Sequence, residues 1–288
     1  MEAHIDFYEV LLELINQIPE NRVSTPLYLA RALGDGRASR AVSEALQREE
    51  MRSGAEKVVV KPTQDMELFR EFDSDRPLRR LLVLQKVMSK QVVQEDNMGA
   101  GKYVGGVDVA YRGDEAYAAC VVMDGSLRVV DSSSVKVRVR FPYIPGYLSF
   151  REAPAVEAAA GRVSGFDVLL VNGHGLAHPR GCGLATQVGL DLGIATVGVA
   201  KNRLVGGVGE AADGWEPITY KGAVVGARLK VDDRSPVYVS VGHNISLKTS
   251  MEIVRRTTTD GHLPEPLRRA HQAAEELRRR SVTGLSSP

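Results

Sequence analysis

Cysteine is nearly absent from this chain: two residues in 288, Cys120 and Cys182. Neither lies in a C-x-x-C spacing, and both have apolar or glycine-rich neighbours, so neither a disulfide framework nor a thiolate zinc site organises the fold. An excess of charge of either sign is also missing. Lys and Arg number 37 against 36 Asp and Glu, a net +1, so any nucleic-acid partner has to be held by local patches. No apolar run reaches membrane-spanning length. The opening MEAHIDFYEV carries acidic residues where a leader would be basic, and the expectation is a cytoplasmic protein with no membrane partner. Internal repeats and low-complexity tracts are lacking, and nothing implies an obligate protein partner.

What is present is ordinary globular material, 43% hydrophobic and 25% charged, enough for one large domain plus a small module. Residues 1–62 read as the module. Phe7, Val10, Leu11, Leu14, Ile15 and Ile18 recur at helical spacing. Ser24-Thr25-Pro26 supplies a capping hydroxyl and an early proline for a second helix through Leu33. Gly34-Asp35-Gly36 is a tight turn, and a third helix is expected over Ala38 to Arg48 with Arg37, Arg40 and Arg48 outward. Lys57 to Lys61 reads as a short strand stopped by Pro62. That order predicts a winged helix-turn-helix. Glu44, Glu49 and Glu50 beside the basic face support the other reading, a helical module that binds no DNA.

The stretches Ile18–Ser24, Leu29–Gly34 and Ser39–Leu46 resemble the DNA-binding half of the alkylguanine-DNA alkyltransferases and alkyltransferase-like proteins. The resemblance implies a DNA contact by Arg40. It implies no alkyl transfer, because the family's Pro-Cys-His-Arg acceptor is absent and Thr25 stands where the family has a tyrosine.

Residues 63–76 are polar and end in Asp-Ser-Asp-Arg, a linker signature, and a second domain is expected over 77–288. A helix reads from Leu78 to Gln94. Next comes Tyr103 to Tyr111, a strand pattern with one misfit: Asp108 has apolar neighbours on both sides. A buried carboxylate is costly unless a cation or hydrogen-bond donors compensate it, whereas at a strand edge it would simply face water. Tyr117–Met123 and Leu127–Val139, joined by Asp124-Gly125, complete an antiparallel meander. Phe141 to Gly146 is a proline-braced loop with an aromatic tip. Ser149 reads as the cap of a helix with Glu152 closing a capping box. Strands then alternate with helices: Phe166–Val171 into Asn172-Gly173-His174-Gly175, Ile194–Val199 into Ala200-Lys201, and Val237–Val241 into Gly242-His243. This predicts an α/β fold, a ribonuclease H-like mixed sheet flanked by helices.

Asp108, Glu152, Asn172, Lys201 and His243 thus fall within or just past predicted elements, where ligand chemistry collects in α/β sheets. Two carboxylates and an amide oxygen suit magnesium or manganese rather than zinc. Lys201 and His243 taken singly also read as solvated loop residues.

The segments Gly105–Tyr111, Pro142–Gly146, Phe150–Pro154, Gly173–Arg180, Val199–Lys201 and Gly242–Leu247 resemble endonuclease V, in order, over residues 78 to 260. The resemblance implies a DNA repair endonuclease that recognises deoxyinosine, deaminated adenine, and hydrolyses the second phosphodiester bond on its 3′ side with Mg²⁺, or Mn²⁺. RNA is a possible substrate, since some members prefer it. Asp108, Glu152 and Asn172 then correspond to metal ligands, and Lys201 and His243 to residues at the reacting phosphate. Tyr143, Ile144 and Pro145 correspond to a wedge filling the gap left by the flipped base. Gly146, Leu148, Gly173, Gly175, His178 and Leu184 correspond to the pocket for the extruded base.

Asn172 departs from that pattern, because the family has an aspartate there. An amide keeps one oxygen ligand and loses a full charge. An inactivated variant, a non-catalytic damaged-DNA-binding protein, and an active enzyme relying on fewer charges all fit. Asn172-Gly173 is also a deamidation-prone pair, which would restore some aspartate.

Overall fold

The computed structural model describes residues 5–211, 214–230, 236–259 and 263–283. The chain divides into two compact units, Met1–Leu84 with Val139–Arg151, and Gln85–Arg138 with Glu152–Pro288. This differs from a break between 62 and 77 in two respects: the first unit runs on through Leu84, and the loop 139–151 belongs with it.

In the first unit, α1 (Phe7–Asn16) is capped by Asp6, whose carboxylate accepts from the Tyr8 and Glu9 amides, and it buries Phe7, Leu11, Leu14 and Ile15. The Thr25 hydroxyl caps α2 (Pro26–Ala32), with Pro26 in its first turn as expected. Gly34 takes φ +105°, and a Cβ there would stand 2.8 Å from the Arg79 backbone nitrogen, so only glycine fits the turn. α3 (Ser39–Ala45) follows. The wing strand does not form among the described residues. The turn Ala55–Lys57 takes up the Lys57 and Val58 amides, leaving a single bridge between Val58 and Ser24. α4 (Pro77–Met88) is shorter than the run to Gln94, because Ser89–Gln91 tightens into a separate turn.

Among the described residues the second unit is a mixed α/β structure on one nine-stranded sheet. β1 (Val104–Arg112), β2 (Glu115–Met123) and β3 (Val129–Arg138) form the expected antiparallel meander. β4 (Val168–Asn172) and β5 (Thr196–Ala200) run parallel to β1. Their residues are nearly all buried, as in strands covered on both faces. β9 (Val237–His243) pairs antiparallel with β5. Beyond it lie β6 (Gly207–Val208), β7 (Trp215–Tyr220) and β8 (Ala223–Leu229), absent from the sequence reading. Pro217 lies within β7, and Lys221-Gly222, at φ 51° and 81°, is the two-residue hairpin turn that joins β7 to β8.

α5 (Leu148–Ala160), α6 (Leu184–Leu192), α7 (Leu247–Thr257) and α8 (Glu265–Thr283) complete the fold. α5 starts at Leu148, so Ser149 is a buried residue of its first turn rather than the residue before the helix. α8 lies on β1 and β2 through Leu267, Ala270 and Ala274, three buried positions on one helical face. Its approach depends on Gly106, where a Cβ would meet the Pro266 carbonyl carbon at 2.3 Å. That contact sets which α8 residues reach the middle of β1. Among the described residues no helix is long and apolar enough to cross a membrane.

Candidate active site

Asp108 sits mid-strand in β1 and is buried, 8% exposed. It does not face water at an edge. The register pairs Val107 with Val171 on parallel β4, so Asp108 and Asn172 are lateral neighbours. Asn172 Nδ2 donates to Asp108 Oδ1 at 2.8 Å. The other carboxylate oxygen, Oδ2, lies 2.7 Å from His271 Nδ1. Both oxygens of the buried carboxylate are therefore met by side-chain nitrogens, which offsets its desolvation. His271 comes from α8 and is 56% exposed at its side chain. It follows Ala270 in the buried stripe, so the close α8–β1 packing that Gly106 permits sets it beside Asp108.

Sequence reasoning missed His271. The signal was a histidine flanking the apolar stripe of Leu267, Ala270 and Ala274 in α8. An ionised carboxylate only accepts, so in this pair Nδ1 is the donor and Nε2 is the ring nitrogen not engaged with Asp108.

Lys201 is exposed and directly follows β5, whose Val199 pairs with Asn172. It shares the strand edge with Asn172. Glu152 is half-buried in the second turn of α5. His243 is not part of this edge. It pairs with Thr196, the first residue of β5, whereas Asn172 pairs with Val199 near its last. Three residues of strand amount to about 10 Å. The reason is polarity: β9 is antiparallel to β5, so its carboxyl end is at the opposite edge of the sheet. His243 is buried there, its Nδ1 accepts from the Val93 amide at 3.2 Å, and burial lowers its pKa.

Of the wedge residues, Tyr143 is 60% exposed and Pro145 is also exposed, but Ile144 is 0% exposed and forms the floor of the loop. Gly146 takes φ +81° and Leu148 opens α5. In the second unit, Gly173 adjoins Leu184: a Cβ on Gly173 would stand 3.4 Å from the Leu184 Cβ. Gly175 answers to packing, since a Cβ there would lie 2.0 Å from the Val241 carbonyl oxygen. The Gly173 and Gly175 amides donate to Val199 O and Ser240 Oγ, at 3.0 and 2.9 Å, so these glycines do not present free N–H groups to a base. Tying up the Gly173 nitrogen also opposes its attack on the Asn172 side chain, the first step of deamidation. His178 lines a cavity of about 470 Å³ with Leu176, Pro179, Tyr220 and Val224. Arg40 is an exposed residue of α3, its Nε 2.8 Å from Glu44. Burial pushes the Cys120 and Cys182 thiols up to about 12, which keeps both inert.

The family model for endonuclease V matches residues 86–272. The chain belongs to the endonuclease V family. It is 46% identical over 199 residues to the endonuclease V of Thermofilum pendens, covering 67% of this chain and 86% of that one. The solved endonuclease V of Streptomyces avermitilis is 32% identical, with a TM-score of 0.66 over 71% of this chain and 94% of the other. The Ciona intestinalis endonuclease V is 26% identical, with a TM-score of 0.62 over 72% of this chain and 99% of the other, and was solved with a 24mer DNA containing an inosine followed by a ribo-adenosine.

The endonuclease V family is one of metal-dependent nucleases, and the donor set here fits a hard cation in kind. Asp108 contributes carboxylate oxygens, and Asn172 carries Oδ1 on the far side of its amide. It is sparse in charge. Among the described residues no three His, Cys, Asp or Glu side chains gather as a metal cage. Magnesium tolerates that, because it keeps several waters and takes one or two carboxylates.

Proposed function

We propose that this chain is a DNA repair endonuclease that acts on deoxyinosine and hydrolyses the second phosphodiester bond on its 3′ side. The observation that carries the catalytic reading is the Asp108–Asn172–His271 cluster, at the carboxyl end of β4 and beside the middle of parallel β1, within an endonuclease V family chain. Asp108, Glu152 and Asn172 would hold Mg²⁺ or Mn²⁺. When bound, such a cation neutralises phosphate charge and lowers the pKa of water. Asp108 orients His271 through Nδ1, leaving Nε2 to exchange a proton with water or a phosphodiester oxygen. Lys201, exposed just past β5, supplies an ammonium for the phosphate at the same edge. Tyr143, exposed on a proline-stiffened loop, fills the gap left by the flipped base, and stacking there contributes roughly 1–3 kcal/mol. In the second unit the base pocket draws on Gly173, Gly175, His178 and Leu184, with shape rather than the Gly173 and Gly175 amides doing the reading. The meander β1–β3 followed by parallel β4 and β5 supports the ribonuclease H-like class. The N-terminal helices are read as an alkyltransferase-like DNA-binding module. The surface pair of Arg40 with Glu44 holds weakly enough to yield to a DNA phosphate.

A second reading, lesion binding without cleavage, is favoured by one observation: Asn172 presents an N–H to Asp108 where an aspartate would present charge to a cation. The test incubates deoxyinosine-containing DNA and inosine-containing RNA with the protein in Mg²⁺ or Mn²⁺, beside the Asn172→Asp variant and an EDTA control. Cleavage of the DNA by the unsubstituted chain upholds the first reading. Cleavage by the variant alone upholds the second, and preference for RNA redirects the substrate.

A further inference from the structure

The family match begins at residue 86, so the segment before it lies outside the stretch shared with the family model. That segment nonetheless forms one compact unit with residues 139–151, the loop that carries Tyr143. Both feet of the loop are fastened to it. On the entering side, the Phe7 amide donates to the Arg140 carbonyl at 3.0 Å. The Arg140 guanidinium donates to Asp6 at 2.8 Å and to Glu50 at 3.2 Å. The Phe141 ring meets Phe7 edge-on at 6.1 Å. On the leaving side, the Tyr147 hydroxyl donates to Asp35 Oδ2 at 2.7 Å. Arg37 pairs with the same carboxylate and lies over the Tyr147 ring at 5.6 Å. Between the feet, Ile144 is fully buried and Tyr143 stands out into solvent.

We propose that the N-terminal segment is a brace for the wedge loop: through Asp35 and Phe7 it holds the Tyr143 tip in its inserting conformation before DNA arrives. This rests on the wedge reading of Tyr143 and goes beyond it, since it makes Asp35 and Tyr147 positioning residues for lesion recognition. The physical gain is preorganisation. A loop that must be ordered on binding loses affinity to the entropy of ordering its side chains, and a loop already fixed at both feet does not. Asp35 is suited to the task. Burial works to raise its pKa, but hydrogen bonds from Arg37 and Tyr147 outweigh burial and hold it below the usual carboxylate range, so it stays a charged acceptor. It sits in the turn fixed by Gly34, whose left-handed backbone leaves little freedom.

The test is a double-mutant cycle on the full chain, in EDTA so that no cleavage intervenes. It reads the ratio of affinities for a deoxyinosine duplex and an undamaged duplex. Tyr147→Phe is expected to lower that ratio about three- to tenfold, the net scale of one hydrogen bond, with undamaged-duplex affinity unchanged. In a Tyr143→Ala background the same substitution is expected to change nothing further. Asp35→Asn, which still accepts from the Tyr147 hydroxyl, is expected to keep more of the ratio than Asp35→Ala. Additive losses, or equal losses on both duplexes, overturn the brace while leaving the wedge in place. No loss from Tyr143→Ala alone overturns the wedge reading and takes the brace with it.

Discussion

The second unit tucks carboxylates away in two places by opposite means. At Asp108 both oxygens are met by nitrogens, from Asn172 and His271. At Glu157, in α5, the neighbour is another acid, Asp191 at the exposed end of α6. Burial first, and the Asp191 charge second, push Glu157 up to about 7. One site meets the cost of burial with donors and the other by keeping a proton. Asn172 decides which kind of site Asp108 belongs to. A carboxylate in its place would set two acids side by side, which is stable only with a shared proton or a cation.

The largest effect is expected from removing the charge that the donors surround. Asp108→Asn is expected to lower deoxyinosine-DNA cleavage by about 10³-fold or more, while lesion binding in EDTA stays within about threefold. Cleavage that survives would move the reaction elsewhere. His271→Ala is expected next, at roughly 10²-fold in single-turnover rate. An unchanged rate and pH profile would reduce His271 to a capping group. Asn172→Asp is expected to raise Mg²⁺-dependent cleavage about tenfold and to introduce a Mg²⁺-dependent rise in Tm that the unsubstituted chain shows weakly. The same Mg²⁺ dependence in both proteins would show that the amide costs the site nothing.

Glu157→Gln sharpens the comparison from the other side. The folded pKa of Glu157 lies above the unfolded value of 4.5, at about 7, so its contribution to stability is complete below 4.5 and is lost as pH rises through 7. Gln carries no proton to lose. The variant is expected to gain on the unsubstituted chain by on the order of 1 kcal/mol above pH 7, once solvent screening is allowed for, and to show no pH-dependent gain below 4.5. Paired unfolding curves at pH 4 and 8 decide it, and parallel curves would dismiss the acid pair.

The strand edge was legible where local pattern and strand direction agreed. Asp108, Asn172 and Lys201 follow from apolar runs with one polar residue placed in or just after them, and β1, β4 and β5 all point the same way. β9 shows the same local pattern, yet its direction depends on pairing across a long connection, which nothing local in Val237–His243 encodes. His271 was illegible for the complementary reason. Its helix meets β1 only because Gly106 and the small residues of α8 let two distant segments close, a three-dimensional fact with no spacing of its own. The helices of the N-terminal segment were legible from caps and prolines. Their hold on the loop around Tyr143 was not, because Asp35 and Tyr147 are separated by more than a hundred residues.

His243 is expected to have the smallest effect on cleavage, and that makes it a strict test of strand direction. Its Nδ1 already accepts from Val93, and burial lowers its pKa, so it stays neutral in the folded chain. A depressed histidine contributes stability that is present above its unfolded pKa of 6.5 and lost as pH falls through the folded value. His243→Asn keeps an acceptor for the Val93 amide and removes the titration. Cleavage at neutral pH is expected to stay within about twofold, while the acid side of the unfolding curve flattens. A tenfold fall in cleavage by a folded variant would place His243 back beside Asp108, and with it the assumption that every strand in this sheet delivers its last residue to the same edge.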